Sequence, residues 1–517
     1  MRDSVKKSDV AVPDLGVHLR GGRHAPLTVS GGRDRRESER DPLKSTAIST
    51  SPVRRDEPVS LSPAFDDQRS GRVDAAAGPA LTRRELVLLL AAAVALQAIA
   101  WVVIYQLFVA LKWGYIPSVA TDVSGYADVG LRVVYGQWPY HDFPYEYPPL
   151  SILLFLLPPV KSTLAAFTFW FGVEMIAIGM LAAAITTAVA TRLWTGLGRP
   201  LAAAAAFAVV VVAAGAIAVN RFDGAVALVL ALALLCMVRR RWTLAGLILG
   251  LGFSLKLMPI AVVPLVLILA TTRRKAVWAA LAAALAAILP FVPFVLHDAT
   301  GFKASFLGMQ VGRGLQIESV AASPYLVAQL IHPGSASIGR PLTASLTITG
   351  AATGFVSSLA PLAVLVLLAI VYSSVWHSRG ALRASNEGIP VAVLAVMLAT
   401  LIGNKVLSPQ HLLWVLPLVA LCLVGRQTLG KVAGALLLVA LALTQVEYPA
   451  MYFRQIRLDP APLAVIAARN ALLVAAFAVA VVAVWRPSRS NAESHVSKLS
   501  RVGASRKPGA VQTARLP

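Results

Sequence analysis

Four carboxylates, Asp122, Asp128, Asp142 and Glu146, fall inside one stretch at 121–149, TDVSGYADVGLRVVYGQWPYHDFPYEYPP. A carboxylate beside a hydroxyl can take its proton as the oxygen becomes a nucleophile. Further on, cations interrupt apolar sequence in short polar clusters: Arg221 in NRFDG, Lys256 in GFSLKLMP, Arg313 in RGLQIES and Lys405 in NKVLSPQH. Fixed cations can bind a phosphate and stabilise it as it leaves. The clusters also supply Gln316, Glu318, Gln410 and His411, and the first stretch adds Tyr126 and Tyr147; all can bond substrate hydroxyls. Purely structural pairs, Arg221 with Asp223 or Lys405 with a neighbouring acid, are the alternative. Ionisable groups near membrane depth either pair or line a functional cavity, and four clusters at one level favour the cavity. Lys256 is the sharpest case, because it lies between two short apolar segments where a helix break followed by Pro259 would expose it.

The elements that must position these residues are membrane helices. Hydrophobic residues make up 57% of the chain, charged residues only 14%, and the mean hydropathy is +0.70, whereas soluble domains carry about 25% charged residues. Charge concentrates in the tails: residues 1–84 hold 16 Lys/Arg and 12 Asp/Glu, and residues 486–517 hold seven and one. Residues 1–84 are expected to form a disordered cytoplasmic tail, 85–486 a multi-spanning domain, and 487–517 a second, basic, disordered cytoplasmic tail. The first tail lacks the pattern of a signal peptide, so the first apolar segment is expected to remain as a span.

Apolar periodicity predicts about twelve transmembrane or partly inserted helices: 85–110, 163–191, 200–219, 223–238, 242–254, 257–271, 275–296, 353–376, 388–403, 411–425, 430–446 and 462–486. Several are shorter than the roughly 20 residues a perpendicular span needs, so some are expected to be broken, half-inserted or merged. Arg192 and Arg199, the runs at 239–241 and 273–275, Arg379 and Arg383, and Arg426 and Lys431 fall in alternate connections. The positive-inside rule puts those connections and both termini in the cytoplasm. Nine of the twelve acids in 85–485 then fall on the outer side, so carboxylate chemistry is expected there.

Within the first outer stretch, Tyr126, Val129, Val133 and Val134 recur at roughly helical spacing and predict a helix along the membrane surface. Asp122 would sit at its start, where an N-cap role competes with a chemical one. Gly136 and the prolines that follow predict a turn-rich return to the membrane; a rigid Trp/Tyr interfacial belt is the bland alternative, but a belt does not require Glu146. The run at 150–157, closed by Pro158 and Pro159, is expected to dip into the outer leaflet and wall a slot open to lipid.

Other chemistries find no pattern. The net charge of +22 belongs to topology and tails, without a basic face interleaved with stacking aromatics, so no nucleic-acid partner is expected. Cys236 and Cys422 fall within spans and read as small apolar fillers. No HExxH or other close His spacing predicts a metal site. GRQTLGK at 425–431 imitates a phosphate loop, but Val432 replaces the required hydroxyl and no strand precedes it.

The order TDVSGY, GQWPYHDFPYEYPP, NRFD, GLGFSLKLMP, RGLQIES, NKVLSPQHLLW resembles the polyprenyl-phosphate-mannose-dependent mannosyltransferases of glycosyltransferase family 87, part of the GT-C superfamily and typical of actinobacteria. The likeness covers most of 85–485 and neither tail; its motifs are short, and their order carries it. It implies an all-α polytopic integral membrane protein of GT-C type with an outward-facing site in the cytoplasmic membrane. A sugar, mannose by the resemblance, would pass from a polyprenyl-phosphate donor to a lipid or glycan acceptor, with no cofactor or metal and with inversion. An essential Asp in the first outer loop is implied as base: Asp122 fits best and Asp128 is the runner-up. Lys256, Arg221, Arg313 and Lys405 are then the phosphate-binding candidates. Asp128, Tyr126, Glu146, Tyr147, Gln316, Glu318, Gln410 and His411 are the sugar- or acceptor-binding ones, though His411 stands where Tyr is often expected. A transporter or flippase of lipid-linked sugar is the rival, but paired halves with matching interrupted helices are not evident.

Overall fold

Thr163 and Thr272 show how the long apolar helices begin. Their hydroxyls accept from the N–H groups of Ala166 and Lys275, at 3.2 and 3.3 Å, satisfying donors that a helix start leaves free. Leu164–Leu193, 30 residues long, then runs about 45 Å, more than the roughly 30 Å of a bilayer's hydrocarbon core.

The computed structural model describes residues 81–110, 122–339 and 345–486. Among them seven helices are long and apolar enough to cross a membrane: Arg83–Leu107, Leu164–Leu193, Arg273–His297, Thr353–Ala384, Asn386–Gly403, Thr428–Ala450 and Pro460–Trp485. Shorter apolar helices, including Gly198–Ala214, Gly224–Val238, Trp242–Leu255, Met258–Leu269 and Pro409–Val424, fill the intervals. Of the expected tails, residues 1–80 and 487–517 lie outside the described residues, while Arg83 and Arg84 already belong to the first helix.

The expected span at 200–219 is broken. Gly215, at a φ of 60°, ends Gly198–Ala214, and a short turn, Ile217–Asn220, follows. The connection between 297 and 352 is not wholly helical either. It contains an antiparallel hairpin in which Ser337, Ile338 and Gly339 face Thr349, Ile348 and Thr347, a small departure from the all-α reading. The core centres on Ile389–Gly403, every residue of which is buried, as expected of a helix apolar all round.

Small residues allow the closest helix contacts. A Cβ on Gly246 or Gly250 would overlap the backbone of Ala279 or Ala283, the packing small residues permit in membranes. Gly250→Val should therefore lower stability by roughly 1–3 kcal/mol, visible as an earlier thermal transition in detergent. An unchanged transition would show that this contact yields without strain.

Connections rich in arginine bind one another. Arg240 Nη2 donates to the Arg383 carbonyl at 2.7 Å, Arg383 Nη2 to the carbonyls of Ile268 and Ala270 at 2.7 and 2.9 Å, and Asn386 Nδ2 to Val238 O at 3.0 Å. The connections between these, in chain order, bear the residues singled out for chemistry.

Candidate active site

The Val123–Val134 helix begins at Asp122, yet the Asp122 side chain makes no capping bond. Its Oδ2 lies 2.9 Å from Arg221 Nη1 and 3.5 Å from the Tyr126 hydroxyl. Among the described residues Oδ1 makes no hydrogen bond, and the side chain is 34% exposed. One oxygen is thus fixed while the other is open. Arg221 is held in turn: Nη2 donates to the Tyr448 hydroxyl at 2.9 Å, and the guanidinium lies 5.7 Å from that ring's centre.

Arg221 does not pair with Asp223, the partner its sequence neighbourhood suggested. Arg221 is extended, at φ −136° and ψ 137°, while Asp223 already sits at the start of Gly224–Val238. The chain turns between them, and Asp223 instead binds Lys256 Nζ at 3.0 Å and accepts from Trp414 Nε1 at 2.7 Å. Lys256 follows the end of Trp242–Leu255, where the chain becomes extended. Its ammonium stands 4.4 Å from the ring centre of Phe222, 5.0 Å from Tyr147 and 6.0 Å from Trp414, a box of ring faces suited to a cation.

Arg313 forms an ion pair with Glu146, and Gln310 Nε2 donates to the Glu146 carbonyl at 2.8 Å. Among the described residues Lys405 forms no ion pair, so the alternative of a structural pair with a neighbouring acid is not seen; Nζ donates to Val311 O at 2.9 Å. Burial and, next, the Arg313 charge lower its proton affinity. The 313–319 segment is pinned to the 404–408 segment because Gln316 N donates to Lys405 O at 2.9 Å. Gln316 Nε2 also donates to Ser408 Oγ at 2.9 Å and to Glu318 Oε2 at 2.6 Å. Burial and, next, the Glu447 charge push the Glu318 carboxyl above the usual carboxylate range. His411 closes the turn, its Nδ1 accepting from Ser408 N at 3.2 Å while its ring stacks 4.5 Å from that of Trp414.

These groups surround one cavity of about 360 Å³. Asp122, Glu146, Tyr147, Arg221, Lys256, Arg313, Gln316, Glu318, Lys405, Gln410 and His411 all line it, with Tyr448, Tyr452, Trp414 and Asn404 among the other lining residues. Two sequence candidates do not reach it. Tyr126 is 2% exposed, its ring stacked on Phe155 at 4.4 Å, so it supports the wall from behind. Asp128 is paired with Arg132 at 2.7 Å on the exposed side of the helix. Six positions after Asp122, it lies about 120° around the helix from the Asp122 face. Among the described residues no three His, Cys, Asp or Glu side chains gather as metal ligands.

Sequence reading passed over Asp223 as anything but a partner for Arg221, and did not single out Trp414 or Tyr448. Trp414 lies one helical turn beyond Gln410 and His411, so the NKVLSPQHLLW motif held that signal. Tyr448 follows Glu447 at a break in the apolar helix, a weaker cue.

The stretch at 142–159 ends as expected in a short element, Ser151–Leu156. Phe155 is buried beneath the cavity wall, while Leu153 and Leu157 are 58% and 71% exposed. Leu150 N donates to Ser254 O at 2.8 Å, tying this element to the turn that presents Lys256.

Residues 145–401 match the profile of glycosyltransferase family 87, spanning the Glu146, Arg221, Lys256, Arg313 and Glu318 positions. The chain belongs to that family. It is a membrane glycosyltransferase. No curated protein matches it. Among solved structures, the crystal structure of ArnT from Cupriavidus metallidurans bound to undecaprenyl phosphate is similar, with 16% identity, 84% of each chain covered and a TM-score of 0.37. In this family 87 chain the matched range holds the cations at 221, 256 and 313; Asp122, Lys405, Gln410 and His411 lie outside it.

Proposed function

We propose that this family 87 enzyme transfers a sugar, mannose in the first instance, from a polyprenyl-phosphate donor to a hydroxyl of a lipid or glycan acceptor. The observation that carries the reading is that one cavity brings together Asp122, one of whose carboxylate oxygens makes no hydrogen bond among the described residues, and the cations Lys256, Arg313 and Lys405. The acceptor oxygen attacks the anomeric carbon, the bond from that carbon to the phosphate oxygen breaks, and the acceptor proton passes to Asp122 Oδ1. The phosphate monoester departs against Lys256, aided by Arg313 and Lys405. One displacement inverts the anomeric centre. Arg221 orients the base, and Glu146, Gln316, Glu318, Gln410 and His411 meet sugar or acceptor hydroxyls. The donor's chain would lie along Ser151–Leu156, past Leu153 and Leu157.

The basic connections support a cavity on the outer face of the cytoplasmic membrane, with both termini inside. Nucleotide sugars are cytoplasmic, so a lipid-linked donor fits that orientation. Membranes containing the protein should convert labelled polyprenyl-phosphate mannose to a mannosylated product without nucleotide sugar. Comparable transfer from a nucleotide sugar, in membranes unable to make the lipid donor, would overturn the reading.

A further inference from the structure

Arg469 lies nine residues into the Pro460–Trp485 helix, about 14 Å along it, and is 0% exposed. An intramembrane arginine calls for a reason beyond packing. It is not among the cavity's lining residues, so it does not touch the reacting groups. Its guanidinium reaches two cavity walls at once. Nη1 is 3.1 Å from Glu447 Oε2, and Nη2 donates to the Glu318 carbonyl at 2.5 Å. The adjacent Asn470 strengthens the second contact, Nδ2 donating to Ser319 O at 3.1 Å and Ser323 Oγ at 2.9 Å.

Each contact leads to the site. From Glu447 the chain passes directly to Tyr448, whose hydroxyl accepts from Arg221, which holds Asp122. From Glu318 it leads to Gln316 and Arg313 on the facing wall; Gln455 Nε2 closes the ring by donating to Glu318 Oε1 at 3.2 Å. Lys256 stands apart, fixed by Asp223 and Trp414 on other elements.

We propose that Arg469 is a positioning residue that clamps the 313–319 segment to the Glu447–Tyr448 turn, and so sets the Asp122 base against the facing wall. This rests on the transferase reading above. Because Lys256, the principal phosphate ligand, is held by Asp223 and not by the clamped segment, loss of the clamp acts more on the chemical step than on donor capture. A lysine can still pair with Glu447 but lacks the second arm to the Glu318 carbonyl.

The test is Arg469→Lys in the full-length protein, with turnover normalised to folded, monodisperse material. The expected result is a kcat at least tenfold lower, with the donor KM changed by a smaller factor than kcat. In a background where buried Cys236 and Cys422 are replaced by alanine, a cysteine placed at Gln316 should also react several-fold faster with a water-soluble maleimide when Arg469 is lysine. Should Arg469→Lys not fold, the pair Arg469→Met/Glu447→Gln, which removes both members of the ion pair, carries the same readouts. Wild-type kcat per folded molecule with unchanged cysteine reactivity would overturn the clamp. Absence of transfer by the wild type would instead refute the transferase reading, and the labelling rates would still decide on Arg469.

Discussion

Asp122→Asn should accumulate in the membrane as the wild type does and transfer sugar about 10²–10⁴-fold more slowly, the usual loss when a general base is removed. Two roles compete for this residue, and the structure separates them. A capping aspartate would accept from the first free N–H groups of Val123–Val134, but the side chain makes no such bond. Even if capping mattered, asparagine caps nearly as well as aspartate. The amide oxygen can still accept from Arg221, and Arg221 keeps its bond to Tyr448. Some stability is lost with the ion pair, but Asp122 is 34% exposed, and partial hydration limits that loss. A shift in folding changes the amount of enzyme; only loss of the base changes turnover per folded molecule. Asp128→Asn serves as the control, because an exposed i,i+4 pair contributes about 0.3–0.5 kcal/mol and this one faces away from the cavity. Near-normal turnover by Asp122→Asn would remove Asp122 as base and move attention to Glu146.

The clusters were legible because polar groups are rare in apolar sequence. Arg221, Lys256, Arg313 and Lys405 stood out one by one, and the fold gathers them because alternate connections of consecutive helices meet at one end. Pairing was not legible. Arg221 and Asp223 are two residues apart, yet backbone direction sends one to Asp122 and the other to Lys256, and no composition or periodicity encodes that turn. Asp128 was misleading for a related reason: near Asp122 in sequence, it lies far around the helix. Arg469 escaped attention inside an apolar run of helical length, where one charge changes the mean hydropathy little. The helices themselves were the easier part, since their ends follow from caps such as Thr163 and from breakers such as Gly215. The hairpin at 337–349 was not foreseen; its strands are three residues each, too short for alternation to register.

Lys256→Ala should lose both folded protein and donor use, and separating those losses is the second decisive experiment. Asp223 is 0% exposed and has Lys256 as its cationic partner, so alanine leaves a buried carboxylate with little beyond the Trp414 indole. Breaking a buried pair from one side costs about 3–5 kcal/mol, enough to deplete the folded protein before any chemistry is measured. Replacing both charges, in Lys256→Met/Asp223→Asn, removes that penalty and lets the amide keep its bond from Trp414. If Lys256 serves only as the counterion of Asp223, this double variant should recover wild-type transfer along with wild-type yield. If Lys256 receives the donor phosphate, yield should recover while kcat/KM for the polyprenyl-phosphate sugar stays about 10²–10³-fold down, the range seen when one group stabilising developing charge is removed. The surrounding rings favour the second outcome. Phe222, Tyr147 and Trp414 present π faces to the ammonium and exclude water from it, which strengthens its attraction for an incoming phosphate, whereas a counterion alone would need no opening toward a cavity. Full recovery of transfer in the double variant would sink the assignment and leave Arg313 and Lys405 as the cations that meet the phosphate.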